Sequence, residues 1–366
     1  MNGVSRLFMG AGLIGAALVV SGCDDRQSGT PSVLPSAVTA PALATAADFT
    51  SLRASLGTAL HTLAEPTPST VESWPEYWQR RLAGLPRIFT VDQVQVNQYV
   101  AGDGQEAAIA RFPLVIAPQT YREDNPTRTH LDAIRAYNPN SLLLAYQIPF
   151  EDVLPLNTGP GYDAMRHLRS IESAYLHDAR GNRLLVTELS GTRGMFDPRS
   201  PDVRAAILAA VASVLEAYPH DGIFFDNYGV KNAMLLDAAG EQFTGAPGQV
   251  WSEADYAAKL AAMTTLTEEI RRAWPGALFI ANSANVFPAF NGELVEGSGQ
   301  YYRAPVQAAE LPGRAQPFMP LFQDTPVTGP DDPLIVTRLA EVQARGGWYG
   351  ASIVNSRILT PGVFGF

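Results

Sequence analysis

The stretch PHDGIFFDNYG, residues 219–229, gives the first indication of the fold. Its three apolar residues, Ile223 to Phe225, lie between Asp221 and Asp226. A short apolar run between polar residues is typical of a buried β-strand. A carboxylate follows this run at once, so the sequence raises the question of why Asp226 ends a buried element.

Seven other short apolar runs occur along the chain. Together with the first, the predicted strands are RIFTV from residue 87, FPLVIAP from 112, SLLLAYQIP from 141, GIFFDN from 222, LFIANSA from 278, ELVEG from 293, PFMPLFQ from 317 and WYGASIV from 348. Helical patterns precede the third, fourth, fifth and eighth of them, over residues 127–139, 200–219, 252–276 and 331–347. Apolar strands that alternate with helices indicate a parallel sheet covered on both faces.

Eight such units between residues 87 and 353 predict an α/β fold, a (β/α)8 TIM barrel, because this length is close to the roughly 250 residues typical of that fold. The alternative is an open, doubly wound sheet. That architecture often carries a glycine-rich nucleotide-binding loop after its first strand, and this sequence has none there. The barrel is therefore the favoured prediction.

The N-terminal residues predict export and lipidation. Arg6 precedes the apolar run Leu7 to Val20, which is short for a bilayer span and typical of a signal peptide. Small residues then lead to Cys23, the only cysteine of the chain, as in a bacterial lipobox. The alternative is a secreted protein with an incidental cysteine. The predicted organisation is a lipoprotein signal peptide over residues 1–22, a tether with a short helix at 47–64 over residues 23–74, and the barrel over residues 75–366.

This organisation predicts a lipid-anchored protein of the bacterial cell envelope, outside the cytoplasm. The formal net charge of -10 repels phosphate backbones, which argues against nucleic acid as a partner. The five histidines lack the spacing of a zinc hydrolase site, and no G-x-S-x-G motif is present. We therefore predict no metal and no organic cofactor.

A barrel gives the charged strand ends a common location, because active sites of this fold lie at the carboxyl ends of the strands. Asp226 ends the fourth predicted strand and Glu296 ends the sixth. Two carboxylates that face one cavity are typical of a glycosidase, in which one attacks or activates water and the other protonates the departing oxygen. Asn227 or Asn282 would stabilise the ionised partner. Other polar residues expected at this mouth are Tyr121, Arg122, Glu123, Tyr146, Gln147, Gln323, Asp324 and Asn355.

Each of these carboxylates also has a structural interpretation. Asp226 could cap a helix at a βα turn, and Glu296 could be an exposed loop residue that competes with Glu293 for the catalytic role. Asp221 precedes its strand and is expected at the opposite face in a structural role. Asp197 either begins a helix or reaches the cavity. Aromatic residues that suit stacking against sugar rings, or packing of the rim loops, are Tyr121, Tyr146, Tyr228, Tyr301, Trp348 and Tyr349.

The segments MFDPRSPDVRAAIL, residues 195–208, and HDGIFFDN, residues 220–227, resemble the glycoside-hydrolase barrels grouped as hypothetical glycosyl hydrolases. They are similar, more distantly, to the endo-polygalactosaminidase-like barrels. The resemblance covers about residues 85–355. It implies that Asp226 is the nucleophile or key carboxylate and that Asn282, in the segment ANSAN, lies in the cavity. It also implies that Glu296, in LVEGSG, is the acid/base residue.

The sequence therefore predicts a membrane-tethered glycoside hydrolase that acts on a polysaccharide, with Asp226 as nucleophile and Glu296 as general acid/base. Retention of configuration is favoured by analogy with barrels that use strands four and six. One alternative is a catalytically inactive lipoprotein that binds carbohydrate. Another is a lyase or aldolase, which would need Lys231 or a histidine in the cavity. The predicted substrate-binding residues are Tyr121, Tyr146, Asp197, Asn227, Asn282, Tyr301 and Trp348.

Overall fold

The structure is a computed structural model of the chain. The residues that it describes are 73–91, 105–119, 127–153, 158–177, 181–188, 191–228, 235–236, 253–282, 287–296, 313–327 and 333–353. Backbone contacts divide the chain into two units, residues 1–38 and 39–366, and every described residue belongs to the second. The predicted signal peptide, Cys23 and the helix at 47–64 lie outside the described residues and stay predictions.

Eight parallel strands form one sheet in the described part of the chain. They are β1 (Phe89–Val91), β2 (Leu114–Ala117), β3 (Leu142–Gln147), β6 (Gly222–Phe225), β8 (Leu278–Asn282), β9 (Gly292–Glu296), β10 (Met319–Val327) and β11 (Trp348–Ile353), in this spatial order. A parallel bridge between Ile88 and Tyr349 brings the first and last strands together, so the sheet is a nearly closed barrel. The eight predicted strands are confirmed.

The barrel has an apolar layer on each side of its strands. Phe224 packs inside the barrel with Ile280 and Leu294, whereas its neighbours Ile223 and Phe225 pack on the outer side against the helices. Successive side chains of a strand face opposite sides, so burial on both sides demands a continuous apolar run. Each fully buried side chain of this size contributes roughly 1.5–3 kcal/mol to the free energy of folding. This double burial is the reason that β6 was recognisable from three residues.

The described helices are α1 (Trp74–Leu82), α2 (Gln105–Ile109), α3 (Thr127–Tyr137), α4 (Pro160–Met165), α5 (Pro201–Ala217), α6 (Glu253–Ala273) and α7 (Pro333–Ala344). The four predicted helical stretches correspond to α3, α5, α6 and α7. None of the described helices is both long enough and apolar enough to cross a bilayer.

Helix α1 covers the amino ends of the barrel strands. Ser73 and Glu76 form a capping box at its start. Tyr77 and Trp78 pack into the interior cluster of the barrel, and the indole Nε1 of Trp78 donates to the carbonyl oxygen of Gly276 at 3.0 Å. This helix was not predicted from the sequence, and it lies at the boundary between the proposed tether and barrel.

Asp221 joins several elements at the amino end of β6. Its Oδ2 accepts from the backbone N–H of Leu143 at 2.8 Å and from Nη2 of Arg135 at 3.0 Å. Its Oδ1 lies 3.1 Å from Nη1 of Arg81, on α1. The carboxylate therefore links α1, α3, β3 and β6, in agreement with the structural role predicted for it.

A separate small sheet follows the third barrel strand. The chain between β3 and α5 contains α4, two 3₁₀ turns and the antiparallel pair β4 (Leu185–Glu188) and β5 (Gly191–Gly194). Strand β7 (Leu235–Leu236), in the segment that follows β6, pairs with β4. Both connections leave the carboxyl ends of barrel strands, so this antiparallel sheet belongs to the face on which active sites of this fold lie. Its strands are too short for periodicity to predict them.

Candidate active site

Asp226 continues the ladder of β6 by one residue. Its N–H donates to the carbonyl oxygen of Gln147, the last residue of β3, at 2.8 Å. Its side chain is half-buried, whereas the four residues of β6 before it are buried. The backbone thus leaves Asp226 at the carboxyl end of the strands, where the buried sheet gives way to the barrel mouth.

Three hydrogen-bond donors converge on the carboxylate of Asp226. Its Oδ1 accepts from the backbone N–H of Asn227 at 2.8 Å and from Nδ2 of Asn282 at 3.0 Å. Its Oδ2 accepts from the hydroxyl of Tyr146. Hydrogen bonds to a carboxylate stabilise its negative charge and fix the plane of the group. Asp226 therefore ends a buried strand at a position where hydrogen-bond donors stabilise its negative charge.

Tyr146 is held in place by packing on the neighbouring strand. Its ring stacks on Phe224 with centroids 5.9 Å apart and an angle of 28° between the planes. Because β3 and β6 pair with Tyr146 opposite Phe224, the phenol extends along the strands towards Asp226. Tyr146 and Asn282 were both predicted at the mouth, and the structure brings both to Asp226.

A buried ion pair contacts Asn227, one of the residues that donate to Asp226. Glu151, in the segment after β3, pairs through Oε2 with Nη1 of Arg193, on β5, at 2.8 Å. Its Oε1 accepts from the side-chain amide of Asn227 at 2.7 Å. Neither Glu151 nor Arg193 is among the residues predicted for the site. The signal for Glu151 was present, because it is an acidic residue shortly after a strand end, as Asp226 is.

Glu296 is the last residue of β9, and its backbone is level with Gln323 of β10. Its side chain lies outside the described part of the structure, as does that of Asp324. Strand β9 is the sixth strand of the barrel and β6 is the fourth, so the two strand ends have the predicted places in the sheet order. The catalytic role of Glu296 stays a prediction.

The rival carboxylate, Glu293, lies on the other side of the sheet. Leu294 packs in the barrel interior and Val295 packs on the helix side, so alternation places Glu293 on the side of Val295. Glu293 is 3% exposed, and its Oε2 has no hydrogen-bond partner among the described residues. Burial raises the pKa of Glu293 to about 7, against the attraction of Arg314. Glu293 is therefore not a candidate for the barrel mouth.

This buried acid predicts a pH-dependent stability. The pKa of Glu293 rises from 4.5 to about 7 on folding, so its ionisation costs nothing below pH 4.5 and the full penalty above pH 7. That penalty is about 3 kcal/mol. We expect Glu293→Gln to stabilise the protein relative to wild type by about 3 kcal/mol more at pH 8 than at pH 4.5. Chemical denaturation at the two pH values measures this difference.

Glu216→Gln is the matched control for this prediction, because Glu216 is exposed on α5. We expect no pH-dependent gain in the free energy of unfolding from this variant. An equal effect of Glu293→Gln at both pH values would contradict the buried-acid interpretation.

Three aromatic residues predicted at the rim lie elsewhere. Trp348 is 3% exposed and packs inside the barrel, because it begins β11 and so lies near the amino ends of the strands. Tyr349 faces the opposite side and is buried in the helix layer. Tyr228 is fully buried against Phe225, Phe287 and Phe290. None of these three rings offers a face for a sugar, so the prediction of Trp348 as a substrate-binding residue is wrong.

Asp197 belongs to a different ion-pair cluster. Its carboxylate accepts from the backbone N–H and Nε of Arg199 at 2.9 Å, immediately before α5. Nη1 of Arg199 also reaches Asp255 of α6 at 3.2 Å. These contacts favour the helix-start interpretation of Asp197 over a role in the cavity.

Of the other predicted residues, some lie within the described segments and some do not. Tyr121, Arg122, Glu123, Lys231, Tyr301 and Asn355 lie outside them. Gln147 is buried on the outer side of β3, where it contacts Gln119 and the Sδ of Met165. Among the described residues, no group of three or more His, Cys, Asp or Glu side chains is arranged to hold a metal ion.

Several glycoside hydrolase structures are similar to this chain. The glycoside hydrolase domain of PelA from Pseudomonas aeruginosa has a TM-score of 0.46 and 14% identity, over 73% of this chain and 93% of that one. For α-L-fucosidase isoenzyme 2 from Paenibacillus thiaminolyticus, the TM-score is 0.46 and the identity 14%, over 72% of this chain and 45% of that one. For the GH36 α-galactosidase AgaA from Geobacillus stearothermophilus, the values are 0.31 and 14%, over 49% and 24%.

No protein-family model matches the sequence, and no curated protein matches it. Identities and TM-scores as low as those above do not assign a family or an activity to the chain.

Proposed function

We propose that this protein is a glycoside hydrolase that cleaves a polysaccharide, with Asp226 as nucleophile and Glu296 as general acid/base. We further propose that a lipid on Cys23 tethers it to a membrane of the bacterial cell envelope. The observation that carries the enzymatic proposal is the carboxylate of Asp226, which ends a barrel strand and accepts hydrogen bonds from Tyr146, Asn227 and Asn282.

This set of donors suits a nucleophile. A carboxylate that attacks an anomeric carbon must be ionised and aimed when the sugar arrives. Two donors on Oδ1 fix that oxygen, while Oδ2 accepts, among the described residues, from the hydroxyl of Tyr146. The two oxygens are thereby distinguished, and Oδ2 is the one that we propose to attack.

The proposed reaction has two steps. In the first, Oδ2 of Asp226 bonds to the anomeric carbon as the glycosidic C–O bond breaks, and Glu296 gives its proton to the departing oxygen. In the second, Glu296 takes a proton from water, which attacks the anomeric carbon and releases Asp226. Configuration is retained if the two carboxyl groups are about 5–5.5 Å apart.

A screen of the purified protein against bacterial exopolysaccharides and plant or fungal glycans tests this proposal. The release of reducing ends identifies a substrate, and Asp226→Asn is the control for contamination. Hydrolysis by wild type alone supports the proposal. Binding of a glycan without hydrolysis would instead support the catalytically inactive, carbohydrate-binding alternative. The substrate class implied by the resemblance to endo-polygalactosaminidase-like barrels stays a prediction.

The role of Glu296 predicts a difference between two variants of the same strand. We expect Glu296→Gln to lower hydrolysis of an unactivated glycan by about 10²–10⁴-fold, because the leaving oxygen loses its proton donor. An aryl glycoside with an acidic leaving group needs little protonation, so its first step is expected to survive. Glu293→Gln is the matched control and should retain activity on both substrates, since Glu293 lies on the helix side of β9.

Kinetics on the two substrates with the two variants measure this effect. Equal losses in Glu296→Gln and Glu293→Gln, or no loss in Glu296→Gln, would remove Glu296 from the mechanism while leaving the role of Asp226 intact.

A further inference from the structure

Glu151 is fixed by the backbone around it. It forms an antiparallel bridge with Met195, and the next residue, Asp152, donates its N–H to the carbonyl oxygen of Gly194 at 2.9 Å. The N–H of Phe196 donates in turn to the carbonyl oxygen of Phe150 at 2.7 Å. The segment after β3 is thus paired with the end of the β4–β5 hairpin, and the Glu151 side chain starts from a defined position.

The side chain of Glu151 is withdrawn from water and uses both oxygens. Its side chain is 2% exposed and that of Arg193 is 7% exposed, at an N–O distance of 2.8 Å. Removing two charges from water is costly, so a buried pair of this kind is weak evidence for stability alone. The second oxygen of Glu151 is bound at 2.7 Å by the side-chain amide of Asn227, the residue that follows Asp226.

Asn227 has an unusual backbone. Its φ is +53°, the one positive value at a non-glycine position among the described residues. This left-handed conformation is disfavoured for residues with a Cβ, although asparagine tolerates it better than most. The turn directs the N–H of Asn227 to Oδ1 of Asp226, at 2.8 Å, and not into the strand ladder.

We propose that Glu151, charged and held by Arg193, is a positioning residue for Asp226. Its hydrogen bond to the side chain of Asn227 holds that residue in the left-handed conformation. This conformation in turn keeps the N–H of Asn227 hydrogen-bonded to Oδ1 of Asp226. Glu151 does not touch the substrate in this arrangement. This inference rests on the proposed function for its catalytic consequence, but the hydrogen bond itself can be measured without any substrate.

Two substitutions of Asn227 separate backbone conformation from side-chain contact. Both Asn227→Gly and Asn227→Ala remove the contact with Glu151, but only glycine adopts a positive φ without strain. We expect kcat to fall by about 10-fold in Asn227→Gly and about 100-fold in Asn227→Ala, with little change in KM, because misplacing a catalytic group by about 1 Å has this order of effect. Equal losses in the two variants would overturn the proposed role of the left-handed turn.

Glu151→Gln, made in two backgrounds, tests the route from Glu151 to Asp226. In wild type we expect kcat to fall about 10-fold at unchanged KM, and in Asn227→Gly we expect no further loss, because the connecting side chain is already gone. An equal further loss in both backgrounds would overturn the proposal, since Glu151 would then act by another path. Circular dichroism and thermal melts identify any variant that fails to fold. If Glu151→Gln does not fold, the comparison of Asn227→Gly with Asn227→Ala still tests the proposal, because both variants retain the Glu151–Arg193 ion pair.

Nuclear magnetic resonance distinguishes failure of this inference from failure of the proposed function. An amide proton donated to a carboxylate resonates downfield and exchanges slowly. We expect both properties for residue 227 in wild type, and we expect both to diminish in Glu151→Gln, whether or not a substrate is known. An amide resonance and exchange rate unchanged by Glu151→Gln would refute the positioning role even in an active glycosidase.

Discussion

Asp226→Asn is expected to lower glycan hydrolysis by about 10³-fold or more while the protein stays folded. An amide is not a nucleophile for an anomeric carbon, so the covalent step is lost. The amide oxygen can still accept from Asn227 and Asn282, and the amide nitrogen can donate to the hydroxyl of Tyr146. The packing around residue 226 therefore survives, and we expect a change of less than about 1 kcal/mol in the free energy of unfolding.

The measurement is kcat/KM on the identified glycan, together with a urea melt of the same preparation. Asp197→Asn is the matched control, because Asp197 pairs with Arg199 in a separate cluster before α5. It should leave kcat/KM within a few-fold of wild type. Hydrolysis that persists in Asp226→Asn would remove Asp226 from the nucleophile's role.

Asp221→Ala is expected to lower the free energy of unfolding by about 3–5 kcal/mol while leaving catalysis intact. This is the opposite of the effect expected for Asp226→Asn. Its carboxylate is 7% exposed and pairs with both Arg81 and Arg135, and it also accepts from the backbone N–H of Leu143. Removing it leaves the partly buried guanidinium groups of Arg81 and Arg135 without this carboxylate. Folded protein that remains at low temperature should keep its kcat, because Asp221 lies at the amino end of β6.

Equilibrium unfolding in urea measures this loss, and Asp163→Ala provides the matched control. Asp163 pairs with Arg166, but these side chains are 60% and 41% exposed. An exposed pair contributes about 0–1 kcal/mol, so this control should cost little. Equal and small losses in the two variants would mean that the Asp221 network does not hold α1, α3 and β3 together.

The barrel was predictable because its strands are covered on both sides. Such strands read as continuous apolar runs, and even the three-residue strand β1 left a detectable signal. The antiparallel sheet of β4, β5 and β7 left no such signal. Its strands contain two to four residues, and the pairing of β4 with β7 connects segments about 50 residues apart, which no local pattern encodes.

The candidate site was partly predictable for a related reason. A polar residue in the last positions of a buried strand, or directly after it, lies at the carboxyl end of the sheet, and this rule found Asp226, Tyr146 and Asn282. The prediction of Trp348 rested on its aromatic ring instead, and it failed because Trp348 opens its strand and therefore lies near the opposite end. The first and last residues of a strand lie at opposite ends of the barrel. A residue must therefore be placed at the amino or the carboxyl end of its strand before it is given a function.

Glu151 and Arg193 could not be paired from the sequence. The ion pair joins residues 42 positions apart, and the contact of Glu151 with Asn227 joins residues 76 positions apart. Only the fold brings them together, through the hairpin that follows β3. Conversely, the left-handed turn at Asn227 has a local sequence signal, because asparagine is one of the few non-glycine residues that accept that conformation.

The distance between the carboxyl groups of Asp226 and Glu296, measured in a crystal structure of the wild-type protein, tests the proposed mechanism most directly. A two-carboxylate glycosidase that retains configuration requires about 5–5.5 Å, and this is the separation that we predict. A separation of about 6.5–9.5 Å would keep the pair but change Asp226 from a nucleophile to a base that activates water. A separation beyond about 10 Å, with the two groups facing different surfaces, would contradict glycoside hydrolysis by this pair.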